Sequence, residues 1–231
     1  MTTYQLRPRE GSDVTATAAE TPARRAPRPR ADALRNRERI VAAAREMFVE
    51  YGADAPLDEI ARRAGIGNAT LYRHFADRYA LVHAVVRSVM ESVADQADRI
   101  AAEEPDPFIA LRRFVHAAAD ERVGALCPML SAAFDRERPD LDAQRVRLET
   151  VVEGLMERAR QAGRLRTDVA VGDLMVALSQ LTRPLPGTGC LDMDRFTHRH
   201  IQLFLDGLEA PARSELVGSA ATLEDLRRAA P

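Results

Sequence analysis

Lysine and tryptophan do not occur in this chain, and cysteine occurs only twice, at Cys127 and Cys190. Two cysteines rule out a disulfide framework and every four-cysteine zinc pattern. No apolar run approaches the roughly 18 residues that a membrane helix needs. The first twenty residues are polar and lack the apolar centre of a secretory signal. The expected compartment is therefore the cytoplasm. Aromatic residues make up only 5% of the 231 positions, yet 46% are hydrophobic and 29% charged, the balance of an ordinary globular chain. All 33 basic residues are arginine, which together with abundant alanine reads as a GC-rich coding bias rather than as chemistry.

Charge is nearly balanced overall, at −2, but not along the chain. Residues 24–79 carry a net +4 and residues 80–231 a net −5. A basic N-terminal part on a larger acidic part points to a polyanion partner for one end only. Residues 1–31 mix Thr, Ala, Pro and Arg without apolar periodicity and read as a disordered arm. The arm ends in Arg24-Arg25-Ala26-Pro27-Arg28-Pro29-Arg30, which either tracks a phosphate backbone or minor groove or is a solvated tail.

From about Ala33 to Tyr51, the positions Ile40, Ala44, Met47, Phe48 and Tyr51 follow helical spacing, and Gly52 suits a left-handed C-terminal cap. A second helix follows Pro56, with Leu57, Ile60, Ala61 and Ala64 on one face, and Gly65 stops it. A third, short helix runs near Asn68 to Phe75. Asp77 then fits the N-cap of a longer one carrying Leu81, Val82, Val85, Val89 and Met90. Further helices are expected over roughly 77–103, 107–123, 127–136, 139–162, 168–182 and 192–208, with breaks at Pro and Gly clusters. The tail, 209–231, either adds a short helix around Leu223–Arg228 or stays disordered. The expected fold is all-α, about nine helices.

Two short helices joined by Ala64-Gly65-Ile66-Gly67 match a helix-turn-helix. Gly65 permits the sharp turn and Ile66 can anchor the corner. Leu71 and Phe75 face inward, which leaves Asn68, Ala69, Thr70, Tyr72, Arg73 and His74 outward. Their amide, hydroxyl, imidazole and guanidinium groups can reach phosphate oxygens and base edges. Arg62 and Arg63 need no role beyond a solvated helix face.

The run Gly65-Ile66-Gly67-Asn68-Ala69-Thr70-Leu71-Tyr72-Arg73-His74-Phe75-Ala76-Asp77-Arg78, preceded by Leu57-Asp58-Glu59-Ile60-Ala61-Arg62-Arg63-Ala64, resembles the signature of TetR-family transcriptional repressors. The resemblance spans about residues 33–85. It implies a homodimer with an N-terminal three-helix DNA-binding domain (32–78), a ligand-binding and dimerisation domain (79–208), and an effector that releases a palindromic operator. It assigns Thr70, Tyr72 and His74 to phosphate and groove-edge contacts, and Asn68, Ala69 and Arg73 to the positions that tune operator sequence. Arg78 stands where the family usually carries a phosphate-touching Lys. Asp58 and Glu59 crowd the start of the second helix, which argues against base readout from it.

The same resemblance asks the C-terminal part to dimerise and to sense. The last two long helices, with Leu174, Leu178, Leu181, Phe196, Leu203 and Phe204, are the expected dimer surface. Pocket candidates for a small apolar or amphipathic effector are Phe108, Leu111, Phe114, Cys127, Met129, Phe134, Leu148, Val152, Met156 and Met175, each also explicable as core. His116 is a candidate polar anchor, and the apolar flanks of Cys127 favour an inert thiol. No catalytic residue, cofactor or metal site is expected: no Walker loop, Gly-x-Ser-x-Gly or His-Glu-x-x-His occurs, and His198 and His200 diverge by about 200° on a helix. The alternative is a helical small-molecule binder or enzyme whose N-terminal motif is an accident of packing.

Overall fold

The computed structural model describes residues 29–52, 54–124, 126, 139–183 and 193–228. Nine helices occur among them. They are α1 (Pro29–Tyr51), α2 (Leu57–Arg63), α3 (Asn68–His74), α4 (Arg78–Glu103), α5 (Pro107–Asp120), α6 (Pro139–Gln161), α7 (Val171–Leu181), α8 (Met193–Leu208) and α9 (Leu223–Arg228). The helix expected over 127–136, the arm up to residue 28, and the pocket candidates Cys127, Met129 and Phe134 lie outside the described residues.

Local chemistry sets the ends of these elements. Gly52 and Gly65 take φ of +76° and +66°, a conformation that side chains with a Cβ rarely adopt, and each turns the chain sharply after a helix. Asp77 caps α4 by accepting from the Ala80 amide at 2.7 Å. Asp106 caps α5 through the amides of Phe108 and Ile109, and Pro107 fills the first turn, where no amide is missed.

Three boundaries differ from expectation. Helix α1 begins at Pro29, so the last residues of the expected arm are helical. Helix α5 closes at Asp120 rather than 123, because Arg122 sits at φ +55° and breaks the ladder. Helix α7 starts at Val171 rather than 168, where Asp173 reaches back to the Ala170 amide at 2.8 Å.

Helix α4 ties the molecule together. Its 26 residues extend about 39 Å. Its first half packs on α1 with Leu81, Val82 and Val85, and its second half packs on α5 and α6 with Val89, Val93, Ala97 and Ile100. One continuous core results, from Ile40 and Phe48 in the headpiece to Leu155 and Ile201 in the body. The chain then doubles back: the Arg166 amide donates to the Leu208 carbonyl, and the Ala210 amide to that of Arg164, at 3.0 and 2.9 Å. Leu165 and Glu209 so form an antiparallel bridge.

A stacked histidine pair joins α5 to α8. The His116 and His198 rings lie 5.1 Å apart with Nδ1 to Nδ1 at 2.8 Å, and His198 Nε2 lies 2.9 Å from Asp120. The carboxylate keeps the proton on His198 Nε2, so His198 Nδ1 accepts from His116. Burial holds the His116 imidazole below its ordinary value, against the opposing Gln202 hydrogen bond. The unfolded chain therefore binds a proton that folded His116 refuses, and stability falls as pH drops below about 6.5. Thermal melts between about pH 7.5 and pH 5.5 should show this loss, and His116→Gln should flatten the slope.

Candidate DNA interface and effector cavity

Helix α3 is seven residues long and only Leu71 of it is buried. Asn68, Ala69, Tyr72 and Arg73 are exposed, spaced so that 68 pairs with 72 and 69 with 73 along one stripe. Tyr72 keeps 53% of its surface open, a large aromatic side chain left in water by the headpiece. Thr70 and His74 flank the stripe, half-buried. The Thr70 hydroxyl accepts from Arg73 at 2.9 Å, which fixes the guanidinium along the helix. Phe75 leaves the helix in extended backbone and is fully buried, with the Arg37 guanidinium 4.4 Å above its ring.

The turn before α3 is clamped from α1. Arg39 donates to the carbonyls of Ala64 and Gly65, the acceptors that the end of α2 leaves without a helical partner. Arg63 forms a bidentate pair with Glu50 at 2.8 and 3.0 Å, which fastens α2 to α1. Arg78 also turns partly inward: it donates to the Ala55 carbonyl at 2.6 Å and holds α4 against the loop before α2.

Behind the headpiece, α4, α5, α6 and α7 line a partly open cavity of about 170 Å³. Its described lining is almost wholly apolar, with Val89, Met90 and Val93 from α4, Phe114 and Ala118 from α5, Val152 from α6 and Met175 from α7. The charged lining residues are Arg145 and Glu149, which pair with each other at 3.2 Å. Of the expected pocket residues, Phe114, Leu148, Val152 and Met175 line this space. Phe108, Leu111 and Met156 do not; all three are buried in the core outside it. His116 faces His198 instead.

Residues 40–85 match the sequence profile of the bacterial regulatory proteins of the tetR family. Residues 106–210 match that of the C-terminal domain of SbtR-like transcriptional regulators. The crystal structure of TetR transcriptional regulator SCO0520 from Streptomyces coelicolor covers 76% of this chain and 99% of its own, with TM-score 0.57 and 32% identity. This chain belongs to the TetR family. A TetR transcription regulatory protein from Mycobacterium vanbaalenii is 30% identical, with TM-score 0.55, over 78% of this chain and 98% of its own. The Pseudomonas putida HTH-type transcriptional regulator TtgW is 44% identical over 59 residues, which are 25% of this chain and 44% of that protein. The match thus spans less than half the length of this curated relative.

TetR-family membership makes the chain a transcriptional regulator and not an enzyme. TetR regulators are dimers that bind DNA and small molecules. No described helix is long and apolar enough to cross a membrane, and no cluster of three metal-ligating side chains occurs among the described residues. Sequence reasoning passed over three structural arginines of the headpiece, Arg37, Arg39 and Arg45, and read a fourth, Arg63, as a solvated helix face, whereas it fastens α2 to α1 through Glu50. Their partners lie 13 to 76 positions away, and spacing carries no signal for such pairs.

Proposed function

We propose that a homodimer of this chain binds a palindromic operator through its two α3 helices and is released by a small apolar or amphipathic effector. In this reading residues 32–78 bind DNA and residues 79–208 sense and dimerise, acting in the cytoplasm on the nucleoid. The observation that carries it is the course of α4. The same helix starts just after α3 and forms one wall of the apolar cavity with Val89, Met90 and Val93 in its middle turns, so a shift of that wall is transmitted along one helix to the headpiece. A second link runs beside it. Arg45 of α1 pairs at 2.5 Å with Glu121, only 9% exposed, which also accepts from Ser92 and Gln96 of α4 at 3.0 and 2.7 Å. Glu121 lies between Ala118 and Val123, two residues of the cavity wall. Effector and operator then bind with reciprocal negative coupling.

Dimerisation through α7 and α8 is supported by the apolar side chains that they leave in water. Val176, Phe196 and Leu203 are 42%, 43% and 59% exposed. Because a two-fold interface uses each residue twice, Leu203→Asp buries two carboxylates and should weaken the dimer by about tenfold or more. Sedimentation at low micromolar concentration should read the loss, with the monomer remaining folded.

The test of function is a mobility-shift titration, with footprinting, on the DNA upstream of the chain's own gene at several salt concentrations. The expected result is a symmetric footprint with half-sites about 10 base pairs apart or a small multiple. Binding that ignores sequence and vanishes with modest salt would reflect phosphate attraction alone and would overturn the reading.

A further inference from the structure

The match to the family's C-terminal profile ends at residue 210, yet the chain continues and packs back on the body. After Glu209, which pairs with Arg164 at 2.7 Å, the segment crosses the start of α7. Arg166, buried beneath it, donates to the carbonyls of Gly207 and Ser214 at 3.1 and 2.8 Å while paired with Asp168. Asp173 accepts from the Ala221 amide at 3.1 Å. At Gly172 the approach is so close that a Cβ would stand 2.2 Å from the Ala221 carbonyl oxygen and 2.9 Å from that of Thr222. Thr222 and Asp225 cap each other at the start of α9. The result is that Leu223, the first residue of α9, joins the lining of the cavity.

We infer that residues 209–228 form a strap that walls one end of the cavity, and that Leu223 limits the effector to a compact, uncharged apolar molecule of one or two fused rings. This rests on reading the cavity as the effector site. Size follows from the volume: a cavity of about 150 Å³ lined by apolar side chains takes benzene, and this one is slightly larger. Charge follows from the lining. Arg145 is already paired with Glu149 and Asp142, and the Ser179 hydroxyl donates to the Val176 carbonyl at 2.8 Å. An ionised ligand would enter with no counter-charge reserved for it, at a heavy desolvation cost.

The experiment uses two neutral fluorescent probes on the full chain, naphthalene and the longer N-phenyl-1-naphthylamine. The wild type should bind naphthalene and take the longer probe at least about tenfold more weakly. Leu223→Ala removes the end wall directly. Gly172→Ala removes it indirectly, by pushing Ala221 and Thr222 away. Each should tighten binding of the longer probe by about tenfold or more, at an unchanged fold by circular dichroism. Adding Met175→Trp, which fills the cavity from α7, should abolish both probes in every background. An unchanged probe ratio in both strap variants overturns the inference. So does a gain that survives Met175→Trp, because the new site then lies elsewhere, and so does failure of every form to bind either probe. If the size filter behaves as expected while neither probe alters operator retention, the effector reading falls and the role of Leu223 stands.

Discussion

Replacing Tyr72 and His74 together by alanine will lower operator affinity by about a hundredfold or more while leaving the melting temperature almost unchanged. Both halves of this expectation follow from position. Tyr72 is exposed and His74 half-buried, and neither belongs to the buried core of the headpiece, so their loss leaves no cavity there. On DNA, a single side-chain contact to a base edge or phosphate is worth about 1–3 kcal/mol, and a symmetric dimer presents each residue twice. Even at the lower end, four lost contacts exceed the hundredfold mark, which is about 2.7 kcal/mol. A mobility-shift assay at fixed salt reads the affinity and a thermal melt reads the fold. Val146→Ala, on the exposed face of α6 in the body, serves as the control that should change neither. If the double variant binds the operator as well as the wild type, α3 is not the reading helix, and the packing-accident alternative regains its place.

What was legible in the sequence was whatever depends on neighbours in the chain. Ile40, Ala44, Met47 and Phe48 announce one buried face because their side chains recur every turn. Gly52, Gly65 and Asp77 announce helix ends because the turn and the cap are local events. The recognition stripe was legible for the same reason: once Leu71 and Phe75 are inward, Asn68, Ala69, Tyr72 and Arg73 have only the outside left.

The cavity was less legible. Periodicity says that Phe108, Phe114, Met156 and Met175 are turned inward, but not which of them meet empty space. Phe108 lies about one and two-thirds turns before Phe114 on α5, under the guanidiniums of Arg112 and Arg164, and so misses the cavity. Leu223 was legible only as the start of a short tail helix, one of two readings of the tail, and not as part of the cavity wall. A six-residue helix has too few turns to mark its buried side, and Gly172, which receives Ala221 and Thr222 just before it, is about fifty positions away. Arg78 shows the opposite limit, since its residue type fits a phosphate contact but its guanidinium already holds the Ala55 carbonyl.

Phe75→Ala should abolish operator binding as fully as the Tyr72 and His74 pair, but by unfolding the headpiece. Phe75 is 1% exposed and shares its core with Ile40, Phe48, Ile60, Leu71 and Leu81. Truncating a buried phenylalanine costs about 3–5 kcal/mol, a large share of the 5–15 kcal/mol that stabilises a typical domain. The headpiece has more to lose than that average suggests. It has roughly 50 residues, two of its three helices are only seven long, and a domain so small buries little surface to begin with. The body keeps its own layer, where the second half of α4 packs on α5 and α6 and α7 packs on α8. Limited proteolysis should therefore open new cleavage sites between residues 35 and 75, while sedimentation and naphthalene binding stay as in the wild type. The two variants look alike on a DNA gel and unlike everywhere else. Tyr72 and His74 act at the surface that meets DNA, and Phe75 acts by keeping that surface in one place. Should Phe75→Ala unfold the whole chain in one transition instead, the continuous core through α4 would be a single cooperative unit. The headpiece could then not move against the body without cost to both, and α4 would have to shift as a rigid rod.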